Sequence, residues 1–571
     1  MSLAAYAAGL IFSGVYNTVD MRLTGAEILI EELVRQGVDT VFGYPGGYVI
    51  NIYDELYKNA HRINHILPAH EQGAAHAADA YARVSGKVGV VIATGGPGAT
   101  NLVTGIANAY LDSVPVVFIT GNVAVPMLGQ DSFQDIDIAG VTMSIVKHSY
   151  VVKDVKQLQR TICEAFQIAG TDRKGPVHID IPKSVQIEEF VYDPELSVSA
   201  SKSALCLDLS GIDAAISLIQ KSKRPYIYCG GGVSATNTGR EVMLLSEKIS
   251  APVGMSMMGI GSVPCSYDLN LGMSGMHGRY ASIAAMSEAD LIIALGVRFS
   301  DRATGNASEY AGNTAVIHID IDAAEIGKNI TPNVSLCGDL REILPTLLDK
   351  TQQRSNEQWL ERIKELKYKG STLPGSDFTP RNIIDRVREY HDDDTVVTTD
   401  VGQHQMWVAQ HYRFEKPRKL IASGGLGAMG YGLGAAIGAS IARGRKRTVL
   451  FTGDGSFGMN LTEMATAVTQ QLPITIILLN NGSLGMVRQW QNLFYDMRYS
   501  NTTLDRKTDF PALARAFGAT GFSAGSLEEL EGILKSIPDK TPCLIECKID
   551  IDEKVLPMIP VGGTIQDIIL D

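Results

Sequence analysis

The sequence predicts an α/β protein built of three doubly wound, parallel-sheet domains. Three observations predict it. Short runs of Val, Ile and Leu recur without polar alternation, as strands buried on both faces require. Helix-patterned segments alternate with those runs, which implies parallel pairing. The runs end in Gly, Asp, Asn or Arg, the residues that line the crevice beyond the carboxyl ends of such strands. A chain of 571 residues has room for roughly three to four domains.

The first twenty residues are small and apolar, with no Lys or Arg ahead of the apolar part, which is too short to span a bilayer. They read as a disordered tail, assigned to residues 1–21. The first domain is placed at 22–190. Thr24 is placed to cap a helix over Gly25–Gln36, and Thr40–Phe42 is a strand turning at Gly43–Gly47. Ile63–Pro68 is a strand ending in His70-Glu71-Gln72-Gly73, followed by an Ala-rich helix over Ala74–Val84. Gly89–Thr94 runs into Gly95–Asn101, and Val114–Thr120 and Val177–Ile181 are further buried strands. Glu71 has two readings: a cap for the following helix, or a carboxylate that hydrogen-bonds a ring nitrogen of a buried cofactor. The Gly95–Asn101 turn either starts a helix or faces its N–H groups to a ligand.

A polar link near Ser197–Ser203 leads to a central domain at 205–350. Its strands Tyr226–Cys229, Leu291–Leu295 and Ala315–Ile319 open onto Gly230-Gly231-Gly232, Gly296–Arg302 and Asp320-Ile321-Asp322. This is another nucleotide-like crevice. Arg298 and Arg302 either grip a diphosphate bidentately or are solvated surface charge.

After a charged linker over Lys350–Phe378 comes the third domain, placed at 375–571. A helix precedes the strand Thr395–Thr398, which runs into Asp400-Val401-Gly402-Gln403-His404. The strand Lys419–Ala422 precedes Gly425-x-Gly427-x-x-Gly430, with Asp454 further on, which imitates a dinucleotide fingerprint. That reading is rejected. Asp454 sits between two glycines, where a metal-phosphate loop fits better, and the dinucleotide reading leaves Asn480-Asn481 without a role. The strand Thr448–Phe451 ends in Gly453-Asp454-Gly455, a helix follows over Gly458–Gln471, and the strand Ile474–Leu479 ends in Asn480-Asn481-Gly482. One βαβ unit thus puts Asp454 and Asn481 at neighbouring strand tips. A carboxylate, an amide oxygen and a loop carbonyl near Ser483 suit Mg²⁺, which also takes phosphate oxygens.

The formal charge of −12 comes without a basic stripe, which argues against nucleic-acid and anionic-membrane partners. The seven cysteines are scattered, as in a reducing, cytoplasmic setting; Cys543 and Cys547 read as core thiols of a strand.

The strings FGYPGG, HEQGAAHAADAYAR, GGPGATN, HIDIPK, GMHG, RFSDRATG, DVGQHQMW, GGLGAMG, GDGSF and NNGSLGMVRQWQ occur in one order from Leu23 onward. Together they resemble the catalytic subunits of acetohydroxyacid synthase, a thiamine-diphosphate-dependent family. The resemblance implies pyrimidine-binding, FAD-binding and diphosphate-binding domains with a C-terminal lid. It also implies a homodimer or homotetramer, with a small regulatory subunit as a further partner. The implied reaction is decarboxylating condensation of pyruvate with pyruvate or 2-oxobutyrate, the first common step of branched-chain amino-acid synthesis.

Thiamine diphosphate would lie across two chains. Glu71 would come from one, and Val401, Gly402, Gln403, His404, Gly427, Met429, Gly453, Gly455, Ser456, Gly485, Met486 and Val487 from the other, with Asp454, Asn481 and Ser483 on Mg²⁺. Met429 would bend the cofactor and Gly47 would lie beside the thiazolium. Arg302 and Trp490 match the acceptor pocket, with Gln134, Lys183, Phe133, Met276 and His277 near its channel. The FAD segments match Arg173, Gly230, Gly231, Met276, His277, Gly278, Arg298, Asp301, Arg302, Asp320, Glu325 and Asp339, and the flavin would be structural, since the net reaction is not redox.

The chain departs from the family pattern at Tyr48, Gly95, Gln130, Ser132 and Asp135. These departures bear on channel shape and specificity, not on the catalytic Glu or the metal ligands. The competing readings are an FAD-free catabolic acetolactate synthase, another thiamine enzyme such as a 2-oxo-acid decarboxylase, and a non-catalytic scaffold.

Overall fold

The computed structural model describes residues 21–196, 207–306, 312, 314–370 and 377–570. Of the tail expected over 1–21 all but Met21, and the polar link expected at 197–203, lie outside the described residues.

The first domain contains β1 (Arg22–Thr24), β2 (Thr40–Tyr44), β3 (Asn64–Ile66), β4 (Gly89–Ala93), β5 (Val116–Asn122), β6 (His148–Val151), β7 (Val177–Pro182) and β8 (Glu189–Val191). The central domain contains β9 (Pro225–Cys229), β10 (Val253–Met255), β11 (Asn270–Met273), β12 (Leu291–Leu295), β13 (Ala315–Asp320) and β14 (Val334–Cys337). The third contains β15 (Val396–Thr399), β16 (Leu420–Ile421), β17 (Thr448–Gly453), β18 (Ile474–Asn480), β19 (Thr520–Ala524) and β20 (Cys543–Lys548). Each domain has a six-stranded sheet, ordered β3-β2-β4-β5-β7-β6, β11-β10-β9-β12-β13-β14 and β16-β15-β17-β18-β20-β19. Every pairing inside the three sheets is parallel. The expected fold class is therefore present three times. β1 and β8 pair antiparallel and tie the two ends of the first domain together.

The strands read from continuous apolar runs are buried along their whole length, β4, β5, β12 and β17 among them. In each sheet successive crossovers leave in opposite directions from one pair of neighbours: β2 and β4, β9 and β12, and β15 and β17. Loops leaving neighbouring strands diverge there and open a crevice. Those loops are the ones singled out by their residues: Pro45–Gly47 with Gly95–Asn101, Gly230–Gly232 with Gly296–Arg302, and Asp400–His404 with the turn at Asp454.

Two expectations need correction. The helix expected over Gly458–Gln471 starts at Asp454 and runs only to Asn460. A 3₁₀ turn over Leu461–Glu463 follows, and a second helix spans Met464–Thr469. The interruption aims the buried Glu463 carboxylate at the first domain, where it accepts the N–H groups of Ala69 at 3.2 Å and His70 at 3.0 Å. The second correction concerns the Ala-rich helix, which spans Glu71–Ser85. Its cap is His70, whose Nδ1 accepts the Gln72 N–H at 3.1 Å, so Glu71 is not the cap.

The first and third domains join through the Glu71–Ser85 helix and the Tyr431–Ala442 helix. Small residues let these backbones touch: a Cβ at Gly438 would lie 1.9 Å from the Ala77 carbonyl oxygen, and one at Gly434 2.9 Å from that of Gly73. One apolar core crosses this junction, with Ala74, Ala77, Ala78, Leu433, Ala436 and Ile437 in it.

Candidate active site

β17 delivers Asp454 and β18 delivers Asn481 to one place, because the two strands are adjacent and parallel. Asn480 ends β18 and folds an Asx turn, its Oδ1 accepting the Gly482 N–H at 3.0 Å. Gly482 takes φ +61°, a left-handed conformation that costs glycine nothing. The Asn481 Oδ1 accepts the Ser483 N–H at 3.1 Å, while its backbone N–H reaches the Asp454 carboxylate. The Asp454 carboxylate accepts the backbone N–H groups of Gly455 and Asn481, yet burial outweighs them and pushes its pKa up to about 6. A buried carboxylate held at such cost gains from a nearby cation.

The surroundings suit an oxygen-liganded ion and a phosphate. The Ser483 Oγ and the His404 Nε2 are both buried without a hydrogen-bond partner. Burial holds His404 neutral, its pKa lowered to about 3. Gln403 accepts the Asn481 amide at 3.2 Å and donates to Gln489 at 3.0 Å and to the Glu553 carbonyl at 2.7 Å. A Cβ at Gly485 would sit 2.0 Å from the Gln403 Oε1, so only glycine permits that contact. Ser456 donates to the Val401 carbonyl at 2.7 Å, joining the β15 and β17 turns. A Cβ at Gly453 would lie 3.0 Å from the His404 Nδ1, and one at Gly455 3.8 Å from the Met429 methyl.

Val401, Gly402, Gly427, Met429, Met486, Val487 and Trp490 line a cavity of about 2030 Å³ that extends between all three domains. From the central domain it is lined by Gly231, Met276, His277, Arg298, Asp301, Arg302, Asp320, Glu325 and Asp339, and from the first by Arg173. Arg302 lies with its guanidinium carbon 5.6 Å from the centroid of the Trp490 ring. Burial and the Arg302 charge lower the His277 pKa to about 4. Burial raises that of Asp320, at the tip of β13, to about 6. Arg298 and Arg302 do not converge as a diphosphate clamp: Arg298 donates to the Leu111 carbonyl, while Arg302 stacks on Trp490. Gly230 and Gly278 lie beside the cavity rather than in its wall. A Cβ at Gly230 would fall 1.9 Å from the Gly296 oxygen, so glycine serves close strand packing there.

The first domain's other candidates, Gly47, Glu71, Phe133, Gln134 and Lys183, stand apart from this cavity. Glu71 is buried, and its Oε2 accepts the Asn101 amide at 2.9 Å. Asn101 was quoted within a motif but given no role; its distance of thirty residues from Glu71 hid the pairing. Gly47 and Lys183 are exposed, Gln134 is half-buried at φ +62°, and Phe133 is 80% exposed. The Tyr48 hydroxyl donates to the Phe133 carbonyl at 2.5 Å, tying the Gly47 turn to the Phe133–Gln134 segment. Asp400 and Gln489 also lacked an assigned role. Buried at the end of β15, Asp400 accepts the Gly430 N–H at 2.7 Å and the Thr452 hydroxyl at 3.1 Å, and so fixes the turn that follows Met429.

Residues 23–141 match the family described as thiamine pyrophosphate enzyme, N-terminal TPP binding domain. Residues 212–347 match its central domain and residues 400–547 its C-terminal TPP binding domain. The chain is 42% identical over 545 residues to the acetolactate synthase large subunit of Lactococcus lactis subsp. lactis, covering 94% of this chain and 95% of that one. The chain belongs to the acetolactate synthase large-subunit family. Acetolactate synthase isozyme 2 large subunit of Escherichia coli is 42% identical, covering 95% of this chain and 98% of its own. The chloroplastic acetolactate synthase 3 of Brassica napus is 43% identical, covering 96% and 87%. The three segments matched to the thiamine pyrophosphate enzyme domains take in the Glu71 helix, the central crevice and the Asp454–Asn481 unit.

Proposed function

We propose that the chain is the catalytic subunit of a biosynthetic acetolactate synthase. It condenses pyruvate, with loss of CO₂, with a second 2-oxo acid to give 2-acetolactate or 2-aceto-2-hydroxybutyrate, the first common step towards valine, leucine and isoleucine. The observation that carries this reading is the Arg302–Trp490 stack in the same cavity as Met429. It offers a cation for a carboxylate and an apolar plate beside it for a short alkyl group.

Asp454, Asn481 and Ser483 would hold Mg²⁺, and the Gln403–His404 turn would receive the phosphates. Thiamine diphosphate, when bound, supplies the electron sink that 2-oxo-acid decarboxylation needs and no side chain provides. Glu71, oriented by Asn101, would present its carboxylate to the cofactor's pyrimidine. Met429 would support the ring system, and Val401 and Met486 would exclude water. Arg302 binds the acceptor carboxylate, and Trp490 favours the ethyl group of 2-oxobutyrate by about 0.8 kcal/mol per buried methylene.

A cavity of about 2030 Å³ exceeds the ~300–1,000 Å³ of a single small-molecule site, and supports FAD along the central crevice beside the substrate. Glu71 lies outside that wall, and Phe133 and Met143 are exposed at 80% and 71%; both facts support a homodimer whose partner brings its Glu71 to this cavity. The name large subunit carried by the relatives supports a small regulatory partner. Cys163, Cys229, Cys265, Cys543 and Cys547 form no disulfides, in keeping with a cytoplasmic location. Among the described residues no helix is long and apolar enough to cross a membrane.

The deciding experiment is a competition assay of pyruvate against 2-oxobutyrate on protein loaded with thiamine diphosphate, Mg²⁺ and FAD. Acetohydroxybutyrate in excess over acetolactate at equal acceptor concentrations is expected. Acetaldehyde or acetate as the sole product would refute the reading.

A further inference from the structure

Leu111, Asp112 and Ser113 form a corner where the three domains meet. The corner ends the Val103–Leu111 helix of the first domain, and Ser113 takes φ +58°. Each of the three residues holds a different neighbour. The Leu111 carbonyl accepts Arg298 of the central crevice. The Ser113 hydroxyl accepts the Arg173 Nε–H at 2.9 Å, and Arg173 in turn pairs with Glu325 at 2.6 Å and Asp322 at 3.1 Å in the central domain. Asp112 faces the third domain. Its Oδ1 accepts the Gly425 N–H at 2.7 Å, and its Oδ2 accepts the Gly424 N–H at 3.0 Å.

Two successive backbone N–H groups on one carboxylate fix both the position and the direction of the segment they belong to. Here that segment is Ser423–Gly430, which carries Gly427 and Met429. The carboxylate is fully buried and balanced by Arg83 at 2.9 Å, which also bonds Asp79 at 2.7 Å. Only glycine allows the approach: a Cβ at Gly425 would lie 2.9 Å from the Asp112 Oδ1, and one at Gly424 2.4 Å from the Met258 sulfur. Asp112, Ser113, Arg173, Arg298, Gly425 and Met429 all border the same cavity.

We propose that Asp112 is a positioning residue that transmits occupancy of the central crevice to the Met429 segment, so that FAD and thiamine diphosphate bind cooperatively without electron transfer between them. This rests on the cofactor assignment proposed above. It also gives the flavin a task in a reaction with no net redox change. A ligand that orders Arg298 and Arg173 orders the corner, and the corner presents Asp112 to Gly424 and Gly425.

The test is calorimetric binding of thiamine diphosphate with Mg²⁺ to the full chain, with and without FAD. Wild-type protein should bind thiamine diphosphate roughly tenfold more tightly when FAD is present, within the usual range of couplings between sites. Asp112→Asn keeps the shape but turns an N–H₂ group towards donors. It should abolish that dependence and weaken thiamine diphosphate binding about tenfold, while FAD binding measured alone stays unchanged. Asp79→Asn, which removes another partner of Arg83 but leaves both glycine bonds, should keep the dependence. If Asp112→Asn does not fold, Gly425→Ala tests the same contact from the other side and should give the same loss. Retained FAD dependence in the Asp112 and Gly425 variants, or its absence in wild-type protein that binds both cofactors, would overturn the proposal. Wild-type protein that binds neither cofactor would overturn the cofactor assignment itself, and the two failures are thus told apart.

Discussion

Arg302 and Trp490 are 188 positions apart in sequence and meet in the cavity, and the proposed acceptor pocket assigns each a separable part. Trp490→Leu should remove a 2-oxobutyrate preference of roughly fourfold in the product ratio while acetolactate is still made from pyruvate alone, since one buried methylene is worth about 0.8 kcal/mol. Chromatographic product ratios check this, and an unchanged preference counts against Trp490 as the acceptor plate. Glu71→Gln should lower kcat by about 10²–10⁴-fold, the range for a lost general acid–base group. Calorimetry should find thiamine diphosphate still bound, because Asp454 and Asn481 remain; full turnover in this variant would remove Glu71 from the mechanism. Asp454 and Asn481 were legible in the sequence because both sit in a motif of fixed spacing at strand tips. Asn101, Asp400 and Gln489 were not: each acts by orienting a neighbour, and nothing in residue type or local spacing says which neighbour.

Among the elements, the contact between the Glu71–Ser85 and Tyr431–Ala442 helices decides how the two cofactor-binding domains of one chain sit. Gly438→Ala would drive a methyl into the Ala77 carbonyl, and should cost about 1–3 kcal/mol as overpacking does. A lower denaturation midpoint is the expected readout, and unchanged stability would mean that the helices separate freely. His76 is buried in the same contact, edge-on to Tyr431, and burial with the Arg83 charge lowers its pKa to about 3. The sign follows from proton counting. Between pH 6.5 and about 3 the unfolded chain holds a proton on this imidazole that the fold refuses, so its contribution to stability is full above pH 6.5 and falls as the solution is acidified. The slope is at most about 1.4 kcal/mol per pH unit. His76→Gln should flatten the fall in melting temperature between pH 6.5 and 4 relative to wild type. A steeper fall would contradict the assignment.

The strands visible in the sequence were the central ones with continuous apolar runs. β6, β11 and β14 escaped because His148, Ser149, Gly272 and Ser335 interrupt the hydrophobic signal in short strands that close the sheets. The broken helix after Asp454 escaped because its glycines read as a turn, and because the break answers to Glu463 and a neighbouring domain.

For the whole molecule, the proposed division of the site between two chains makes a sharp prediction. Glu71→Gln and Asp454→Ala proteins, each inactive, should regain about a quarter of wild-type activity when unfolded and refolded together in equal amounts. Half of the dimers would be mixed, and one of the two symmetry-related sites in each would then be intact. No recovery would place Glu71 and Asp454 of a single chain in one site. Fold class was legible at this scale because three rounds of alternating strand and helix can pack in few ways. The meeting of three domains at Leu111–Ser113 was not, since that corner reads as an ordinary helix end.

The antiparallel pair β1 and β8 places the entry and exit of the first domain side by side, with Leu23 opposite Phe190. A unit whose two ends are stapled in this way joins the remaining chain covalently at one place, while its Glu71–Ser85 helix packs on the third domain. A gene could therefore be rearranged around it: joining those ends directly and opening the chain at an exposed loop would yield a circular permutant with the same sheet, and other polypeptides could accept the whole unit as an insertion without disturbing its internal order.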